Sequence, residues 1–422
     1  MLNTEQASAA NAVLQDKRNV YISGMAGSGK SYLIEHIRQQ CNRSYQVCAP
    51  TGIAALNIKG TTIHSFFRLS PHAIVLDDYL RSKTKKRSVL KSLDLLIIDE
   101  ISMVQASLLD LLDAICRHER KQPTEAFGGL QVVLVGDFAQ LGPVSKSTGS
   151  PFYAFESDAW QALNLVTCHL SISQRHPDPY FASFMEKLRM GCVDDDVIGT
   201  LKELSAPMTD RPTCYVNNKT VVLESLNAAK DARNAKEHAT NPNKEMIYEA
   251  SYTGNESRMK SCLAPDHLSL KIGSPVLHLA NIPPLLNGSS GEVVGFTDDD
   301  KPLVQFYDRD LDKYCVHVIS RYMWRCEERM PSGDMVTVAS KTQYPLVLAY
   351  SWSVHKSQST TLDPVSVNLA DVFAKSQAYV ALSRARAKDG LQVSGLKSYT
   401  PMYLRQLFTP DERVLRFYNK AQ

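Results

Sequence analysis

The first 170 residues alternate between two hydrophobic patterns. Short apolar runs rich in β-branched residues predict strands at residues 19–23, 45–49, 93–98 and 130–135. After the first run, apolar residues recur at helical spacing at Leu33, Ile34, Ile37 and Cys41. The run at 93–98 is almost continuously apolar, which is typical of a strand covered on both faces of a parallel sheet. The pattern therefore predicts an α/β fold with a parallel sheet.

A glycine-rich loop lies between the first predicted strand and helix. Residues 24–31, here called the glycine loop, match the phosphate-binding pattern G-x-x-x-x-G-K-[ST]. Glycines let backbone N–H groups curl around phosphates, the helix N-terminus and Lys30 add positive charge, and Ser31 offers a hydroxyl to Mg²⁺. The predicted nucleotide ligands are Gly24, Ala26, Gly27, Ser28, Gly29, Lys30 and Ser31. The alternative is a glycine turn that only caps a helix.

Composition narrows the class of protein. A chain of 422 residues predicts two or three domains, and 44% hydrophobic with 22% charged residues excludes wholesale disorder. The net charge of +3 is too small to indicate nucleic-acid binding by itself. The apolar runs are too short for membrane spans, and the nine scattered cysteines favour reduced thiols over a disulfide or zinc framework. We expect a cytoplasmic bacterial or phage protein with no targeting segment and no membrane association.

Polar residues follow two of the predicted strands. Asp99 and Glu100 end the run at 93–98, where Asp99 could hold Mg²⁺ and Glu100 could orient and deprotonate water. The alternative for this pair is acidic capping of the next helix. Gln140 follows the strand at 130–135 and could contact a γ-phosphate; an ordinary turn residue is the alternative.

The end of the second strand carries small hydroxyl residues, a histidine and aromatics. Hydroxyls and N–H groups there could hold a nucleic-acid backbone, and an aromatic could stack on a base. The candidates for DNA contacts are Pro50, Thr51, Gly52, Thr61, His64 and Phe66. The alternatives are a core position for Phe66 and a structural role for His64.

Gln6 and a basic run each have a functional interpretation and a purely structural one. The amide of Gln6 could both donate to and accept from an adenine edge; otherwise it is a surface glutamine in a helix capped by Thr4. A basic run within a predicted insertion at about 68–92 is either a solvated loop or a DNA contact. Its cations are Arg81, Lys83, Lys85, Lys86, Arg87 and Lys91.

Taken together, these segments resemble superfamily-one DNA helicases, and specifically the Pif-one (petite integration frequency) family, related to RecD-type and Dda-type helicases. The matching segments are residues 24–31, 49–55, 62–66, 99–103 and 127–144. One departure is Gly142-Pro143, where the family usually has two prolines. We expect this to loosen the loop behind Gln140.

The resemblance extends to the second half of the chain. It implies that Arg175 and Arg384 act as arginine fingers; an exposed arginine and a basic helix face are the alternatives. It also implies that the segment at 354–363 touches DNA through His355 and Lys356 and the nucleotide side through Ser359.

The implied fold has two RecA-like P-loop NTPase domains with parallel sheets. The first covers residues 1–170, and the second covers 171–286 and 341–422. Residues 287–340 form a small inserted β-barrel, similar to the Src-homology-three barrel, and the first domain carries the small basic insertion.

The implied function is ATP-dependent, 5′-to-3′ translocation on single-stranded DNA with unwinding of duplex, forked or G-quadruplex DNA. ATP and Mg²⁺ are the expected cofactors. Single-stranded DNA and its junctions with duplex are the expected partners of a monomeric enzyme. The direction follows from the resemblance alone. The alternatives are a translocase that displaces proteins without unwinding and an ATP-gated DNA-binding switch.

Ser359 replaces a glycine of the family pattern. Glycine permits positive φ and close backbone approach, so we expect Ser359→Gly to raise the stimulation of ATP turnover by DNA. The measurement is the ratio of ATPase rates with and without single-stranded DNA. An unchanged ratio would contradict this expectation.

Overall fold

The computed structural model describes residues 2–69, 76–81, 88–143, 153–206, 221–260, 262–285, 287, 289–308, 313–329, 335–354, 357–358 and 360–421. The chain divides into two compact units. Unit 1 contains Met1–Gln174, Arg325–Ala339 and Asp411–Gln422. Unit 2 contains Arg175–Trp324 and Ser340–Pro410.

A six-stranded sheet forms the centre of unit 1. Its strands are β1 (Val20–Gly24), β2 (Tyr45–Ala49), β3 (Thr61–Thr62), β4 (Leu95–Ile98), β5 (Gln131–Gly136) and β6 (Val166–Leu170). The order is β3-β2-β4-β5-β1-β6, and every neighbouring pair is parallel. All four residues of β4 are fully buried, as its continuous apolar run predicts. The α/β fold with a parallel sheet is thereby confirmed.

Helices pack on this sheet. They are α1 (Thr4–Leu14), α2 (Lys30–Gln40), α3 (Gly52–Asn57), α4 (Ile63–Phe67), α5 (Leu76–Arg81), α6 (Ser88–Ser92), α7 (Ala106–Arg120) and α8 (Asp158–Ala162). Val13 of α1 and Leu33 and Ile37 of α2 share one core cluster with Ile22 of β1 and Val133 of β5. This packing places the start of α2 directly after β1.

The cap of α1 differs from the expectation. Asn3, rather than Thr4, is the N-cap: its side chain accepts from the Gln6 N–H at 2.8 Å. The Gln6 side chain accepts in return from the Asn3 N–H at 3.1 Å. This reciprocal capping box satisfies two N–H groups at the helix start, while Thr4 is exposed.

Unit 2 contains a second parallel sheet and an antiparallel region. Its helices are α9 (Pro179–Arg189), α10 (Asp195–Ser205), α11 (Asn227–Thr240), α12 (Gln377–Leu382) and α13 (Pro401–Phe408). The remaining strands of the chain are β7 (Val221–Glu224), β8 (Glu245–Glu249), β9 (Ser251–Gly254), β10 (His267–Lys271), β11 (Pro275–His278), β12 (Ser290–Phe296), β13 (Pro302–Asp308), β14 (Lys313–Val318), β15 (Tyr322–Arg329), β16 (Met335–Gln343), β17 (Leu346–Leu348), β18 (Ser351–Ser353), β19 (Val365–Asn368) and β20 (Leu391–Ser394). The parallel sheet has the order β18-β7-β19-β20.

The antiparallel strands extend beyond the predicted insertion at 287–340. A five-stranded sheet has the order β14-β13-β12-β11-β17. β12 of the insertion therefore pairs with β11, which precedes the insertion, and β11 pairs in turn with β17, which follows it. Smaller sheets have the orders β10-β8 and β15-β16-β9. Backbone pairing thus ties the segment to its flanks, which the hairpin pattern alone did not reveal.

The last helix, α14 (Glu412–Ala421), belongs to unit 1, although the sequence assigns all of 341–422 to the second domain. Aromatic packing explains the difference: the Phe417 ring stacks on Phe155 at a centroid distance of 4.4 Å.

The cysteines that the structure describes are free thiols. No helix in the described ranges is both long and apolar enough to cross a membrane.

The capping box gives a stability test. Replacing Asn3 by Ala removes the cap and should lower the free energy of unfolding by about 1 kcal/mol, whereas Thr4→Ala should change it far less. Denaturant unfolding of the two variants measures the difference. Equal losses would show that the cap is assigned to the wrong residue.

Candidate nucleotide site

Three loops leave the same edge of the first sheet. The glycine loop follows β1, Asp99 and Glu100 follow β4, and residues 137–141 follow β5. Because these strands are parallel neighbours in the order β4-β5-β1, their carboxyl ends lie side by side. The positive charge of Lys30 lowers the pKa of Asp99, so the two side chains interact electrostatically across this edge. The structure therefore brings together three predicted segments that are far apart in the sequence.

The glycine loop has positions at which a Cβ atom would collide with neighbouring atoms. Gly29 has φ +86°, and a Cβ there would lie 2.5 Å from Gln6 Nε2. A Cβ on Gly24 would lie 2.6 Å from Ser28 Oγ and 2.7 Å from the Leu170 carbonyl oxygen. The buried Ser28 Oγ has no hydrogen-bond partner among the described residues. These features fit a cradle for phosphate oxygens rather than a simple capping turn.

Lys30 and Ser31 begin α2. Lys30 Nζ donates to the carbonyl oxygens of Gly24 and Met25, at 2.7 and 2.9 Å. Its ammonium group is therefore held against the loop by local hydrogen bonds. Ser31, one residue further, is exposed and its hydroxyl is accessible.

Gln6 contacts the glycine loop directly. It is 3% exposed, and its Nε2 donates to the Ser28 carbonyl oxygen at 3.5 Å. The alternative of a surface glutamine is therefore wrong. The amide supports the loop from α1, and its predicted contact with adenine stays a prediction.

Asp99 and Glu100 are both buried, with 5% and 8% exposure. Burial raises the pKa of Asp99 to about 7, and the neighbouring Glu100 charge adds to the shift. The Glu100 N–H, which donates to Asp99 at 2.9 Å, and Lys30 oppose it. Glu100 has a left-handed φ of 51°, and its side chain makes no capping bond to the 3₁₀ turn that follows. The cap alternative is therefore not supported for Glu100.

The donor set fits Mg²⁺. The hydroxyl of Ser31 and the carboxylate of Asp99 are the hard oxygen ligands that this cation prefers. A buried carboxyl with a raised pKa gains most from a nearby cation, because positive charge favours its ionised form. Ser31 and Asp99 would hold the ion, which would supply charge for phosphate oxygens.

Gln140 belongs to a buried network that the sequence did not reveal. It is 6% exposed, and its Nε2 donates to Asp137 Oδ2 at 3.2 Å. Asp137 Oδ1 accepts from the hydroxyl of Tyr418, on α14, at 2.9 Å. The sequence offered no signal for Tyr418, because it lies 281 positions from Asp137.

A Cβ on Gly142 would lie 3.1 Å from the ring of Tyr153, so an aromatic side chain packs closely against the segment that we expected to be loose.

The candidate DNA-contact residues after β2 differ in their burial and in their hydrogen bonds. The Thr51 hydroxyl accepts from the Ala54 N–H at 3.2 Å, next to Pro50 and Gly52 at the start of α3. Thr61 is 3% exposed, and its hydroxyl accepts from Gln46 at 3.1 Å. Its burial does not support the predicted DNA contact through that hydroxyl.

His64 and Phe66 are half-buried on α4. Burial lowers the pKa of His64. Phe66 meets Phe67 edge-on at 5.1 Å, and Phe67 is the core residue of the pair at 2% exposure. Phe66 therefore retains accessible surface for a stacking contact.

The two predicted arginine fingers lie close together within unit 2. Arg175 donates to the Thr361 hydroxyl at 2.9 Å and to the Ser383 carbonyl oxygen at 2.7 Å. Arg384, which is 1% exposed, donates to the Val380 carbonyl oxygen and to the Ser383 hydroxyl, both at 2.9 Å. The plain alternatives, an exposed arginine and a basic helix face, are wrong for these two side chains.

The neighbouring His176 is buried beside this pair. Its Nε2 lies 3.0 Å from the Ala385 carbonyl oxygen. Burial lowers its pKa to about 4, and the Arg175 charge adds to the shift. A neutral imidazole therefore packs between the two arginine-bearing segments.

Several predicted residues lie outside the described part of the chain. They are His355, Lys356, Ser359, Lys83, Lys85, Lys86 and Arg87. Of the basic run, the structure describes Lys91 and the backbone of Arg81.

Asp99 gives a pH-dependent stability test. Its folded-state pKa of about 7 lies above 3.8, the ordinary pKa of an aspartate carboxyl group, so its contribution to stability is present at low pH and is lost as pH rises towards and through 7. Asp99→Asn should therefore raise the melting temperature relative to the parent increasingly between pH 5 and 8, in Mg²⁺-free buffer. Asp16→Asn, at an exposed position, is the matched control. A difference that does not change with pH would refute the assignment.

Comparisons with known proteins agree with this geometry. A family model described as PIF1-like helicase matches residues 1–193. The human protein named ATP-dependent DNA helicase PIF1 is 35% identical over 99% of this chain, which spans 63% of that protein's length. A Bdellovibrio bacteriovorus protein, named ATP-dependent DNA helicase Pif1, is 33% identical over 100% of this chain and 92% of its own.

Solved structures extend the likeness to the fold. Pif1 helicase from Candida albicans is 32% identical, with a TM-score of 0.74 and full coverage of both chains. Pif1 from a Bacteroides species, in complex with ADP-AlF4, is 27% identical, with a TM-score of 0.85 and coverage of 100% and 97%. On the sequence match, the fold and the arrangement of the glycine loop with its carboxylates, the chain belongs to the PIF1-like helicase family.

Proposed function

We propose that this chain is an ATP-dependent DNA helicase that moves 5′ to 3′ along single-stranded DNA and unwinds duplex DNA at its junctions. The observation that carries the proposal is the meeting of Lys30, the Asp99–Glu100 pair and Gln140 at one edge of a parallel sheet. A family relative from Bacteroides, 28% identical with a TM-score of 0.67, has been solved with ADP-AlF3 and single-stranded DNA. That complex supports a nucleotide and a DNA strand as ligands of this chain.

The roles follow from charge and position. The glycine loop and Lys30 bind the phosphates, and Ser31 and Asp99 hold Mg²⁺. Glu100 orients and deprotonates the attacking water, and Gln140 contacts the γ-phosphate. Phosphoryl transfer needs little covalent help from the protein, so catalysis depends on positioning and charge neutralisation.

Arg175 and Arg384 supply further positive charge to the transferring phosphoryl group. Support comes from their shared anchor, since both side chains bond to Ser383. A single chain carries both the glycine loop and these arginines, so we propose a monomer as the hydrolysing unit. We propose forked and G-quadruplex DNA as further substrates; a related structure of two coordinating Pif1 helicases at forked DNA supports the first of them.

DNA contacts are proposed for Pro50, Thr51, Gly52, His64 and Phe66, joined by His355 and Lys356. The hydroxyl and backbone groups after β2 suit phosphate oxygens, and the half-buried Phe66 suits base stacking. We further propose that the antiparallel strands within 287–340 form the Src-homology-three-like barrel of the family. The basic segment at about 68–92 is proposed to contact the DNA junction.

The test combines hydrolysis and strand displacement. ATP turnover should rise on adding single-stranded DNA, and duplexes with a 5′ tail should be unwound while those with a 3′ tail are not. Lys30→Ala should abolish both activities. Turnover retained in that variant would overturn the nucleotide site, unwinding from 3′ tails would overturn the direction, and DNA-stimulated turnover without any unwinding would indicate a translocase.

The arginine assignment has a matched pair of variants. Arg384→Ala should keep nucleotide binding but lower kcat by roughly 10³-fold, the scale of an arginine finger. Arg386→Ala changes an exposed arginine two residues further and should leave kcat unchanged. Single-turnover ATP hydrolysis and fluorescent-nucleotide binding measure the two effects. Equal kcat in both variants would remove Arg384 from the mechanism.

A further inference from the structure

The last helix, α14, packs through Phe417 against aromatic residues of unit 1, among them Tyr21 of β1 at a centroid distance of 5.9 Å. The ring of Phe417 stacks on Phe155 at 4.4 Å and meets Phe138 edge-on at 5.3 Å. At the start of the helix, Arg413 pairs with Asp411 at 3.0 Å and with Glu156 at 3.5 Å. Aromatic packing and ion pairs thus place the next residue, Tyr418, at a defined position beside the loop that follows β5.

Tyr418 bonds to that loop through its hydroxyl group. The hydroxyl donates to Asp137 Oδ1 at 2.9 Å and accepts from the Phe138 N–H at 3.0 Å. Tyr418 is 9% exposed. Both capacities of a phenol, one donor and one acceptor, are therefore used within two consecutive residues of the loop.

Asp137 connects Tyr418 to Gln140 through hydrogen bonds. The carboxyl group is fully buried, and its Oδ1 also accepts from the Ala139 N–H at 3.1 Å. Its Oδ2 accepts from Gln140 Nε2 at 3.2 Å. A continuous run of hydrogen bonds thus leads from α14 to the side chain proposed to contact the γ-phosphate.

The chemistry of the run determines how the Gln140 amide is oriented. An ionised carboxylate only accepts hydrogen bonds, so it holds the NH₂ end of the amide and leaves the second N–H of that group for a phosphate oxygen. A buried carboxylate depends on every donor around it. Loss of the Tyr418 hydroxyl would leave Oδ1 with one fewer donor, and the carboxyl group would turn to recover one.

We propose that Tyr418 is a positioning residue for ATP hydrolysis: it fixes Asp137, which in turn fixes the orientation of Gln140. The proposal rests on the proposed function, because it takes Gln140 as the contact to the γ-phosphate. It makes a helix at the far end of the chain part of the hydrolytic machinery, and it adds two residues, Tyr418 and Asp137, to the predicted set.

The first experiment is Tyr418→Phe in the full chain. This variant keeps the ring and removes the hydroxyl. We expect kcat for DNA-stimulated ATP hydrolysis to fall about 10-fold, the scale of one hydrogen bond to a charged group. KM for ATP and the affinity for ADP should stay within about twofold, because the glycine loop is untouched. Tyr403→Phe, which removes a hydroxyl that accepts from the Lys397 N–H at 3.4 Å in unit 2, should leave kcat unchanged.

A double-mutant comparison tests the route through Gln140. In a Gln140→Ala background, Tyr418→Phe should lower kcat no further, because the side chain on which it acts is gone.

The outcomes distinguish the two levels of the proposal. If Gln140→Ala lowers kcat and Tyr418→Phe does not, the positioning role is overturned and the proposed function stands. If Gln140→Ala itself leaves kcat unchanged, the role of Gln140 in the proposed function fails, and the positioning role fails with it. An equal loss from Tyr418→Phe with and without Gln140 would also overturn the positioning role.

Discussion

The parallel pairing of β4, β5 and β1 is the constraint on which the site depends. Parallel neighbours present their carboxyl ends at one edge, so three loops that are far apart in the sequence meet there. The meeting has an electrostatic cost, because Asp99 and Glu100 are buried side by side and the pKa of Asp99 rises to about 7. Lys30 offsets part of that cost, and a cation held by Asp99 would offset more. Binding phosphate and a cation together at this edge would therefore lower the electrostatic cost of the buried carboxyl pair.

Backbone conformation also supports the interpretation of this edge as a nucleotide site. Gly27 and Gly29 have φ of +80° and +86°, which a residue with a Cβ rarely adopts. Glu100 adopts φ 51° without being glycine, at a cost on the order of 1 kcal/mol. Strained, buried residues persist where the surrounding structure holds them, and here the Asp99 carboxylate accepts the Glu100 N–H. Strain therefore coincides with the residue proposed to activate water.

Each unit contains an organised group of candidate functional residues. In unit 1, the network of Gln140, Asp137 and Tyr418 connects the loop after β5, which is proposed to contact phosphate, to α14. In unit 2, Ser383 anchors both Arg175 and Arg384 through its carbonyl oxygen and its hydroxyl. Both groups consist of charged or amide side chains oriented by fixed neighbours, which is what catalysis by positioning requires.

The sequence by itself determined the parallel sheet of unit 1, the glycine loop and the carboxylate pair, because each depends on a local pattern: β-branched runs, glycine spacing and polar residues at a strand end. Tertiary structure alone decided the rest. Burial separated Thr61 from the candidate DNA surface and made Gln6 a support of the glycine loop. Pairing of β12 with β11, and of β11 with β17, joined the antiparallel segment to the strands that flank it. Only packing placed α14 in unit 1 and brought Tyr418 to Asp137, 281 positions away. Hydrophobic periodicity states which face of an element is buried, but it does not state what the element is buried against, so contacts between distant segments could not be predicted from it.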